Sequence, residues 1–430
     1  MANILLPTFG TLGDIHPFLA IALELQARGH RPTIATLEIY RSKIEEAGID
    51  FEAIPPHFQS KEAWMELVPR LMDGQEGTTR LFREILMPNL KATYETLLPW
   101  VQQTDLVVAH PIVCAAPICC EVLGKPWLSA TLAPVGYWSV YDRMFPVGFR
   151  GAEKIRTSPF AQRILKKILA KRSLPLVREV SDLRHELKLP LKGHPLLDRA
   201  NSPYGGLALF SRELAAPQPD WPANTQQTGF CFYDRKGSFG NGDAAALPPA
   251  IGEFLQAGEP PIVFTLGSAA VFDARNFYEA AVEASHQLKR RALLLVGFES
   301  NRPANLPEND GQIAAFEYAP FSEVFPQAAA IVHQGGVGTT GQALQAGVPS
   351  LFMPCSHDQP DNAWRIQRQG AARIMDRNHC NAEHMTQQLS ELLNNPEYAR
   401  NAQAIGQRMQ QENGTKTATD IIEQRLLACK

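Results

Sequence analysis

The stretch from Phe316 to Asn362, FEYAPFSEVFPQAAAIVHQGGVGTTGQALQAGVPSLFMPCSHDQPDN, decides the fold of this chain. Short apolar runs in it are typical of buried parallel strands, and a glycine with a proline two residues later marks the end of a short helix. The predicted elements are a strand at 328–332, a glycine-rich turn at 333–341, a helix at 342–346, a strand at 350–353 and a polar loop at 356–362.

The glycine-rich turn has the features of an anion-binding site. Glycines let a backbone approach a ligand closely, and a helix N-terminus offers unpaired N–H groups and a partial positive charge. Thr339 and Thr340 add hydroxyl donors, and His333 at the end of the strand can donate to a phosphate oxygen. The turn therefore predicts a bound diphosphate, with Asp358 and Gln359 reaching the far end of the ligand.

Three interpretations of this turn remain open on the residues alone. Gly336, Gly338 and Gly341 satisfy the spacing of a dinucleotide fingerprint, and Asp358 follows about 20 residues later, which would suit a nicotinamide-dependent dehydrogenase. A nucleotide-sugar site uses similar turn chemistry. The turn could also bind no ligand, because an isolated glycine pattern is a weak signal.

Several motifs occur in order over this stretch: Tyr318-x-Pro320, His333-x-Gly335-Gly336-x-Gly338-Thr339, Gly347-Val348-Pro349 and Asp358-Gln359-x-x-Asn362. Together they resemble the donor-binding signature of the GT-B-fold glycosyltransferases. That family holds plant and mammalian UDP-glycosyltransferases, bacterial antibiotic and sterol glycosyltransferases, and the rhamnolipid rhamnosyltransferase. The resemblance implies an α/β chain with two Rossmann-like, doubly wound parallel-sheet domains facing a central cleft. It also implies inverting transfer of a hexose from a UDP- or dTDP-sugar to an acceptor hydroxyl.

The resemblance assigns the donor site residue by residue. Tyr318 takes the place of a tryptophan that stacks on the base, Phe321 replaces a glutamine, and Gln342 stands where a glutamate often binds the ribose. The implied donor-binding set is Gly13, Ser268, Tyr318, Ala319, Phe321, His333, Gly335, Gly336, Val337, Gly338, Thr339, Gln342, Asp358 and Gln359.

Sugar transfer requires a base beside the acceptor hydroxyl and stabilisation of the leaving diphosphate. Asp14 and His16 are the candidate bases in the first loop, and the resemblance favours Asp14, three residues before Pro17. His110 ends a predicted strand and could pair with Asp14 or line the acceptor pocket. Asp14 could also be the N-cap of the helix predicted to begin near Pro17, and it could fill both roles. The chain has no Asp-x-Asp metal clamp, so we expect no metal and no cofactor besides the nucleotide-sugar.

The predicted domain organisation follows the alternation of strands and helices. The predicted parts are an N-terminal acceptor domain at 1–216, a linker at 217–226, a nucleotide-sugar domain at 227–413 that opens with a strand at 227–232, and a C-terminal helix at 414–430 that packs back on the first domain, as the resemblance implies.

Aromatic and apolar residues in the first domain favour a hydrophobic acceptor such as a lipid, sterol, hydroxy-fatty acid or polyphenol. Trp138, Tyr141 and Phe145 are the predicted contacts. Residues 150–178 carry nine Lys and Arg against one acidic residue, and 160, 164, 168 and 169 are spaced to share one helical face. This segment is either a basic amphipathic helix that touches a membrane surface or a solvated helix that covers the acceptor pocket.

Composition excludes several other classes. The net charge of −3 argues against nucleic acid as a partner, and seven scattered cysteines without a C-x-x-C pair indicate neither a disulfide framework nor a zinc site. The sequence MANILLPTFG lacks the features of a signal peptide, and no apolar run is long enough to span a membrane. We therefore expect a cytoplasmic protein, with peripheral contact at the inner membrane surface as an open alternative. The resemblance implies an enzyme of bacterial type.

Overall fold

The computed structural model describes residues 1–58, 60–142, 158–191, 193–198, 200–233, 247–304, 306 and 311–428. The chain is divided into two compact units. Unit 1 comprises Met1–Leu67, Gln75–Tyr233 and Glu412–Lys430, and unit 2 comprises Val68–Gly74 and Asp234–Gln411.

Unit 1 is built on a seven-stranded parallel sheet. Its strands are β1 (Asn3–Pro7), β2 (Arg31–Thr36), β3 (Asp50–Ala53), β4 (Leu106–Ala109), β5 (Trp127–Thr131), β6 (Gly206–Ala208) and β7 (Thr225–Gln227). The helices met before Tyr233 are α1 (Leu12–Ala27), α2 (Arg41–Glu46), α3 (Lys61–Leu71), α4 (Gly77–Arg80), α5 (Leu90–Gln103), α6 (Ala115–Leu123), α7 (Pro159–Ser173) and α8 (Arg178–Glu186). The strand order is β3-β2-β1-β4-β5-β6-β7.

Unit 2 repeats this plan with a six-stranded parallel sheet. Its strands are β8 (Ile262–Thr265), β9 (Ala292–Leu295), β10 (Ile313–Phe316), β11 (Ala330–His333), β12 (Ser350–Phe352) and β13 (Ala372–Ile374). Its helices are α9 (Pro249–Gln256), α10 (Phe277–Leu288), α11 (Phe321–Val324), α12 (Val337–Ala346), α13 (Gln359–Arg368), α14 (Ala382–Asn394) and α15 (Pro396–Met409). The strand order is β10-β9-β8-β11-β12-β13.

Both sheets have the Rossmann-like order, which confirms the predicted α/β fold class. In each unit the order reverses next to its first strand, between β1 and β4 and between β8 and β11. Ligands of open α/β sheets bind outside the carboxyl ends of the strands at such a reversal. Strands β8, β9 and β11 are buried along their whole length, as expected for parallel strands. Residues that contact a ligand are therefore expected in the loops that follow these strands.

Two helices begin earlier than the sequence predicts. Helix α1 starts at Leu12 rather than near Pro17, so the second half of the predicted first loop is helical. Helix α12 starts at Val337 rather than Gln342, with Gly336 as its N-cap. Glycine has low intrinsic helix propensity, and it masked both starts in the sequence. A capping box of Thr11 and Asp14 stabilises the start of α1, whereas the Asp358 carboxylate accepts the Val337 N–H at the start of α12.

The boundary of unit 1 also differs from the prediction. The predicted linker at 217–226 contains most of β7, which pairs with β6, and the strand predicted at 227–232 is limited to Gln227. Trp221 anchors this proline-rich stretch, because its ring lies 4.5 Å from that of Tyr137. The first compact unit therefore continues to Tyr233, and the second resumes at Asp234.

The last helix, α16 (Gly414–Ala428), belongs to unit 1 and packs against α1. The guanidinium of Arg28, at the C-terminal end of α1, donates to Asp420 at 2.6 Å and to Glu423 at 2.8 Å. Because these carboxylates are partly exposed, we attribute the docking of α16 chiefly to its buried apolar residues, such as Ile421 and Ile422.

We predict that Gly406→Ala will destabilise unit 2. Gly406 of α15 lies against α12, and an added Cβ would sit 2.8 Å from Cα of Gly347 and 3.1 Å from the carbonyl oxygen of Leu344. Backbone cannot yield as a flexible side chain does, so we expect a loss of about 1–3 kcal/mol in the free energy of unfolding, measured by urea denaturation.

Gly252→Ala in α9 is the matched control, because its Cβ would approach only a leucine methyl group at 3.9 Å. That change should leave stability unaltered or raise it by about 0.5–1 kcal/mol, as expected for alanine in a helix. Equal effects of the two changes would contradict the close α12–α15 packing.

Candidate functional site

The carboxyl ends of β8 and β11 hold one polar cluster in unit 2. Gly267 follows β8 with φ of 62°, and Gln334 follows β11. This backbone angle favours glycine, and Nε2 of Gln334 occupies the adjoining space, since a Cβ on Gly267 would lie 2.3 Å from it. Gln334 was not predicted as a site residue, because its position is defined only once the two strands are adjacent.

His333 is fully buried at the end of β11, with its ring centroid 4.4 Å from that of Phe352. The backbone N–H of Gly335 donates to Nδ1 of His333 at 3.2 Å. Nδ1 is therefore the acceptor, and the ring proton resides on Nε2, which has no hydrogen-bond partner among the described residues. Burial lowers the pKa of His333 to about 3, so the ring is a neutral hydrogen-bond donor at physiological pH.

The N-terminus of α12 lies in the same loop and is held by the next helix. The Val337 N–H donates to Oδ2 of Asp358 at 3.2 Å, and the side-chain amide of Asn362 donates to the same oxygen at 2.6 Å. Asn362 also donates to the carbonyl of Gly335 at 3.0 Å, which ties α13 to the glycine turn. Burial raises the pKa of Asp358 to about 6, against the opposing effect of these hydrogen bonds.

Three further polar atoms of this cluster are buried without a partner among the described residues: Oε1 of Gln334, Oγ1 of Thr340 and Oδ1 of Asn362. Buried polar atoms are normally hydrogen-bonded, so several such atoms beside one helix N-terminus indicate a ligand site. A ligand with both acceptor oxygens and hydroxyl donors, such as the diphosphate and sugar of a nucleotide-sugar, would satisfy them.

The other predicted donor residues are distributed around this turn. Tyr318 is 37% exposed, and the side chains of Ser268 and Gln342 are half-buried. Ala319 is fully buried, and Phe321 stacks on Phe325 with ring centroids 4.4 Å apart, which gives Phe321 a core-packing role. Gly336, Val337 and Gly338 are partly exposed at the start of α12, whereas Gly335 and Thr339 are buried.

Gln359 has a structural task that the sequence did not reveal. Its Oε1 accepts the backbone N–H groups of Cys355 at 2.8 Å and Ser356 at 3.2 Å, and the residue is only 4% exposed. Oε1 of Gln359 is thus engaged by the loop that leads into α13, and the predicted contact of Gln359 with the donor stays a prediction.

In unit 1, Asp14 belongs to the first turn of α1. The backbone N–H of Thr11 donates to Oδ2 of Asp14 at 2.8 Å, which makes Thr11 the N-cap and Asp14 its capping-box partner. The carboxylate lies directly over Gly10, where an added Cβ would be 2.2 Å from Oδ2. Gly13 is at the start of the same helix, and a Cβ there would approach only the Thr11 hydroxyl, at 3.8 Å.

His16 and His110 are both half-buried side chains with one covered nitrogen. Nε2 of His16 and Nδ1 of His110 have no hydrogen-bond partner among the described residues. Burial, with a smaller contribution from the charge of Lys43, lowers the pKa of His16 to about 3, and burial lowers that of His110 to about 4. The His16 ring lies 5.2 Å from that of Tyr233, so a neutral histidine packed on an aromatic ring is the form present at neutral pH.

A small pocket opens at the carboxyl edge of the unit 1 sheet. It lies beside the loops that follow β1, β3 and β4, and its lining includes Phe9, Ile54, Met87, Leu90 and Val113. Its walls are mainly apolar, which is the character predicted for the acceptor site.

The predicted acceptor contacts do not line this pocket. Trp138 is half-buried, and its carbonyl accepts from the Lys166 ammonium at 2.7 Å. Tyr141 is 45% exposed and carries the Arg163 guanidinium over its ring. Phe145 lies outside the described residues. The pocket-lining residues come from four separate segments, so no local sequence signal could have selected them.

Comparison with known proteins agrees with this geometry. Residues 4–141 match the glycosyltransferase family 28 N-terminal domain, and residues 293–426 match the erythromycin biosynthesis protein CIII-like C-terminal domain. The O-mycaminosyltylonolide 6-deoxyallosyltransferase of Streptomyces fradiae is 30% identical over 435 residues, covering 98% of this chain and 97% of that protein. A sterol 3-beta-glucosyltransferase of Komagataella phaffii is 26% identical over 446 residues; the match covers 99% of this chain and 34% of that longer protein.

Solved structures show the same fold. Spinosyn forosaminyltransferase superposes with a TM-score of 0.70 at 17% identity, and the match covers 99% of both chains. The glycosyltransferase VinC, solved in complex with dTDP, superposes with a TM-score of 0.66 at 18% identity, again over 99% of both chains. The two parallel-sheet units are therefore those of a GT-B fold.

We predict that His333 stays neutral, with its proton on Nε2, between pH 8 and about pH 4. Burial depresses the pKa of this base, so it takes up a proton only as the pH falls through about 3, whereas an unfolded histidine does so near 6.5. Side-chain ¹⁵N NMR, with His333→Gln to assign the signal, measures both tautomer and charge. The urea-unfolded protein is the control, and a native His333 that titrates near pH 6 would contradict the geometry.

Proposed function

Because the chain belongs to the UDP-glycosyltransferase-like family of GT-B glycosyltransferases, we propose that it moves a hexose from a UDP- or dTDP-sugar to a hydroxyl of a hydrophobic small molecule, with inversion at the anomeric carbon. The observation that carries the donor assignment is the buried, neutral His333, whose Nε2 has no partner among the described residues and lies beside the N-terminus of α12. A diphosphate oxygen is the acceptor that this donor fits.

The proposed leaving-group chemistry uses fixed neutral dipoles. When the bond between the anomeric carbon and the diphosphate breaks, negative charge grows on the leaving oxygen. The Nε2–H of His333, the Thr340 hydroxyl and the partial positive charge at the N-terminus of α12 would stabilise that charge. This supports transfer without a metal ion.

We assign Asp14 as the base. Its carboxylate would take the proton of the acceptor hydroxyl while the hydroxyl oxygen attacks the anomeric carbon from the face opposite the leaving diphosphate. The hydrogen bond from Thr11 and the contact with Gly10 hold the carboxylate at the carboxyl edge of the unit 1 sheet. Burial lowers the pKa of both His16 and His110, which makes them weak bases, so their proposed role is to orient the acceptor or the base.

The apolar pocket of unit 1 supports a hydrophobic acceptor. It lies at the same sheet edge as the loop that leads into α1. The names of the relatives specify a mycaminosyltylonolide in one case and a sterol in the other. On the proposed function, an acceptor of this general kind would enter the pocket with one hydroxyl toward Asp14.

We predict that UDP or dTDP, but not NAD, will raise the melting temperature of the purified protein in the presence of EDTA. A ligand at a hundredfold excess over its Kd adds about 2.7 kcal/mol to the free energy of unfolding. His333→Met removes the neutral donor and should weaken nucleotide diphosphate binding about 10–150-fold, the loss of one hydrogen bond to a charged group.

The controls separate donor chemistry from packing. His333→Gln keeps an N–H donor near the position of Nε2 and should retain most of the affinity. Thr36→Val removes another buried hydroxyl that has no partner among the described residues, in unit 1, and should leave nucleotide affinity unchanged. If NAD alone stabilised the protein, the glycine turn would be the dinucleotide-binding site of a dehydrogenase.

We predict that Asp14→Asn will lower the rate of transfer about 10²–10⁴-fold, the usual contribution of a general base, and leave nucleotide affinity unchanged. Asparagine keeps an oxygen for the Thr11 N–H, so α1 remains capped. Asp105→Asn is the matched control, because Asp105 also accepts a backbone N–H, from Asn3 at 2.8 Å, but does so at the start of β4. Normal turnover by Asp14→Asn would rule out the base assignment, and nucleotide binding without turnover by the unaltered protein would indicate a non-catalytic subunit.

A further inference from the structure

Helix α7 lies on unit 1 with its most apolar side turned to solvent. None of its residues is buried. Phe160 is 70% exposed, Ile164 46% and Ile168 47%. These residues are four apart, so they form one ridge along the helix. Leu169, which the sequence placed on the same face, is half-buried on the other side.

Basic side chains flank this ridge. Lys167, Lys171 and Arg172 are exposed, and they form no ion pair among the described residues. The other two basic residues of α7 are engaged locally: Arg163 with Tyr141, and Lys166 with the Trp138 carbonyl. The helix contains no acidic residue, although the whole chain has a net charge of −3. The positive charge is therefore a local property of the α7 ridge.

We propose that the α7 ridge, Phe160 to Arg172, docks on an anionic phospholipid surface. Phe160, Ile164 and Ile168 would enter the boundary between headgroups and acyl chains, and Lys167, Lys171 and Arg172 would pair with lipid phosphates. This combination of an apolar stripe and basic flanks is the pattern of helices that lie in the membrane interface.

Charge complementarity favours an anionic lipid surface over a second copy of the chain as the partner of the α7 ridge. Two copies of the ridge facing each other would bring the three flanking cations of each copy together, which opposes self-association. An anionic bilayer neutralises those cations and also accepts the apolar side chains. Within the described residues no helix is long and apolar enough to cross the bilayer, so the predicted attachment is peripheral. Residues 150–157 of the basic segment lie outside the described residues, and the proposal does not use them.

The test is co-sedimentation of the full chain with phosphatidylcholine vesicles that contain increasing fractions of phosphatidylglycerol. We expect binding that rises with the phosphatidylglycerol fraction, falls as salt is raised and is absent on phosphatidylcholine alone. Lys167→Glu, Lys171→Glu and Arg172→Glu combined should lower the partition coefficient at least about a hundredfold, at about fivefold for each basic residue lost. Ile164→Ser with Ile168→Ser should weaken binding while leaving the residual binding salt-dependent.

The matched control reverses three exposed cations elsewhere: Arg31→Glu, Arg83→Glu and Arg400→Glu. It imposes the same change in net charge and should bind vesicles more than about tenfold better than the α7 variant. All of these side chains are exposed, and unchanged thermal melting verifies that the variants fold. No binding of the unaltered protein to phosphatidylglycerol vesicles, or an equal loss in the control variant, would overturn the proposal. So would a dimer in solution that the isoleucine changes dissociate, because the ridge would then be a contact between copies.

Discussion

The hydrogen bond from the Gly335 amide to Nδ1 of His333 fixes the hydrogen-bonding character of the proposed donor site. It decides which nitrogen of the ring carries the proton, and burial against Phe352 keeps that ring neutral. The left-handed backbone of Gly335, with φ of 91°, turns the chain from this amide toward the N-terminus of α12, and it favours glycine at this position. A Cβ at position 335 would also lie 2.9 Å from the Phe352 ring, which packs on His333. The hydrogen bond to His333 and the packing of its ring therefore both depend on glycine at position 335.

The two units use the same sheet edge in different ways. In unit 1 the carboxylate that caps α1 comes from the helix itself, since Asp14 accepts the Thr11 amide. In unit 2 the carboxylate at the start of α12 is supplied by Asp358, the N-cap of the next helix. On the proposed function, a sugar hydroxyl would compete with the Val337 amide for this carboxylate. Its raised pKa shows that burial outweighs the hydrogen bonds that favour its charged form.

The sequence predicted the alternating α/β plan, the glycine turn and the position of His333 at the end of a strand, because each has a local signature. The role of His333 stays a prediction. Apolar runs mark β8 to β12, and the glycines follow β11 directly. It failed where structure depends on contacts between distant segments. Gln334 matters only because β8 and β11 are neighbours, which places it on Gly267. Thr225–Gln227 is a strand because β6 offers an edge and Trp221 is anchored, although proline and polar residues dominate the local composition. The early start of α12 depends on Asp358, which lies 21 residues away from Val337.

The neutrality of His333 has a consequence for the environment in which this chain can operate. A lysine or arginine clamp attracts a diphosphate over long range. Dissolved salt weakens that attraction, because the Debye screening length is about 8 Å at physiological ionic strength. An N–H dipole in a buried pocket interacts at contact distance, where mobile ions do not intervene. On the proposed function, a rise in salt concentration would therefore weaken the contact between His333 and the diphosphate less than it weakens a lysine or arginine clamp.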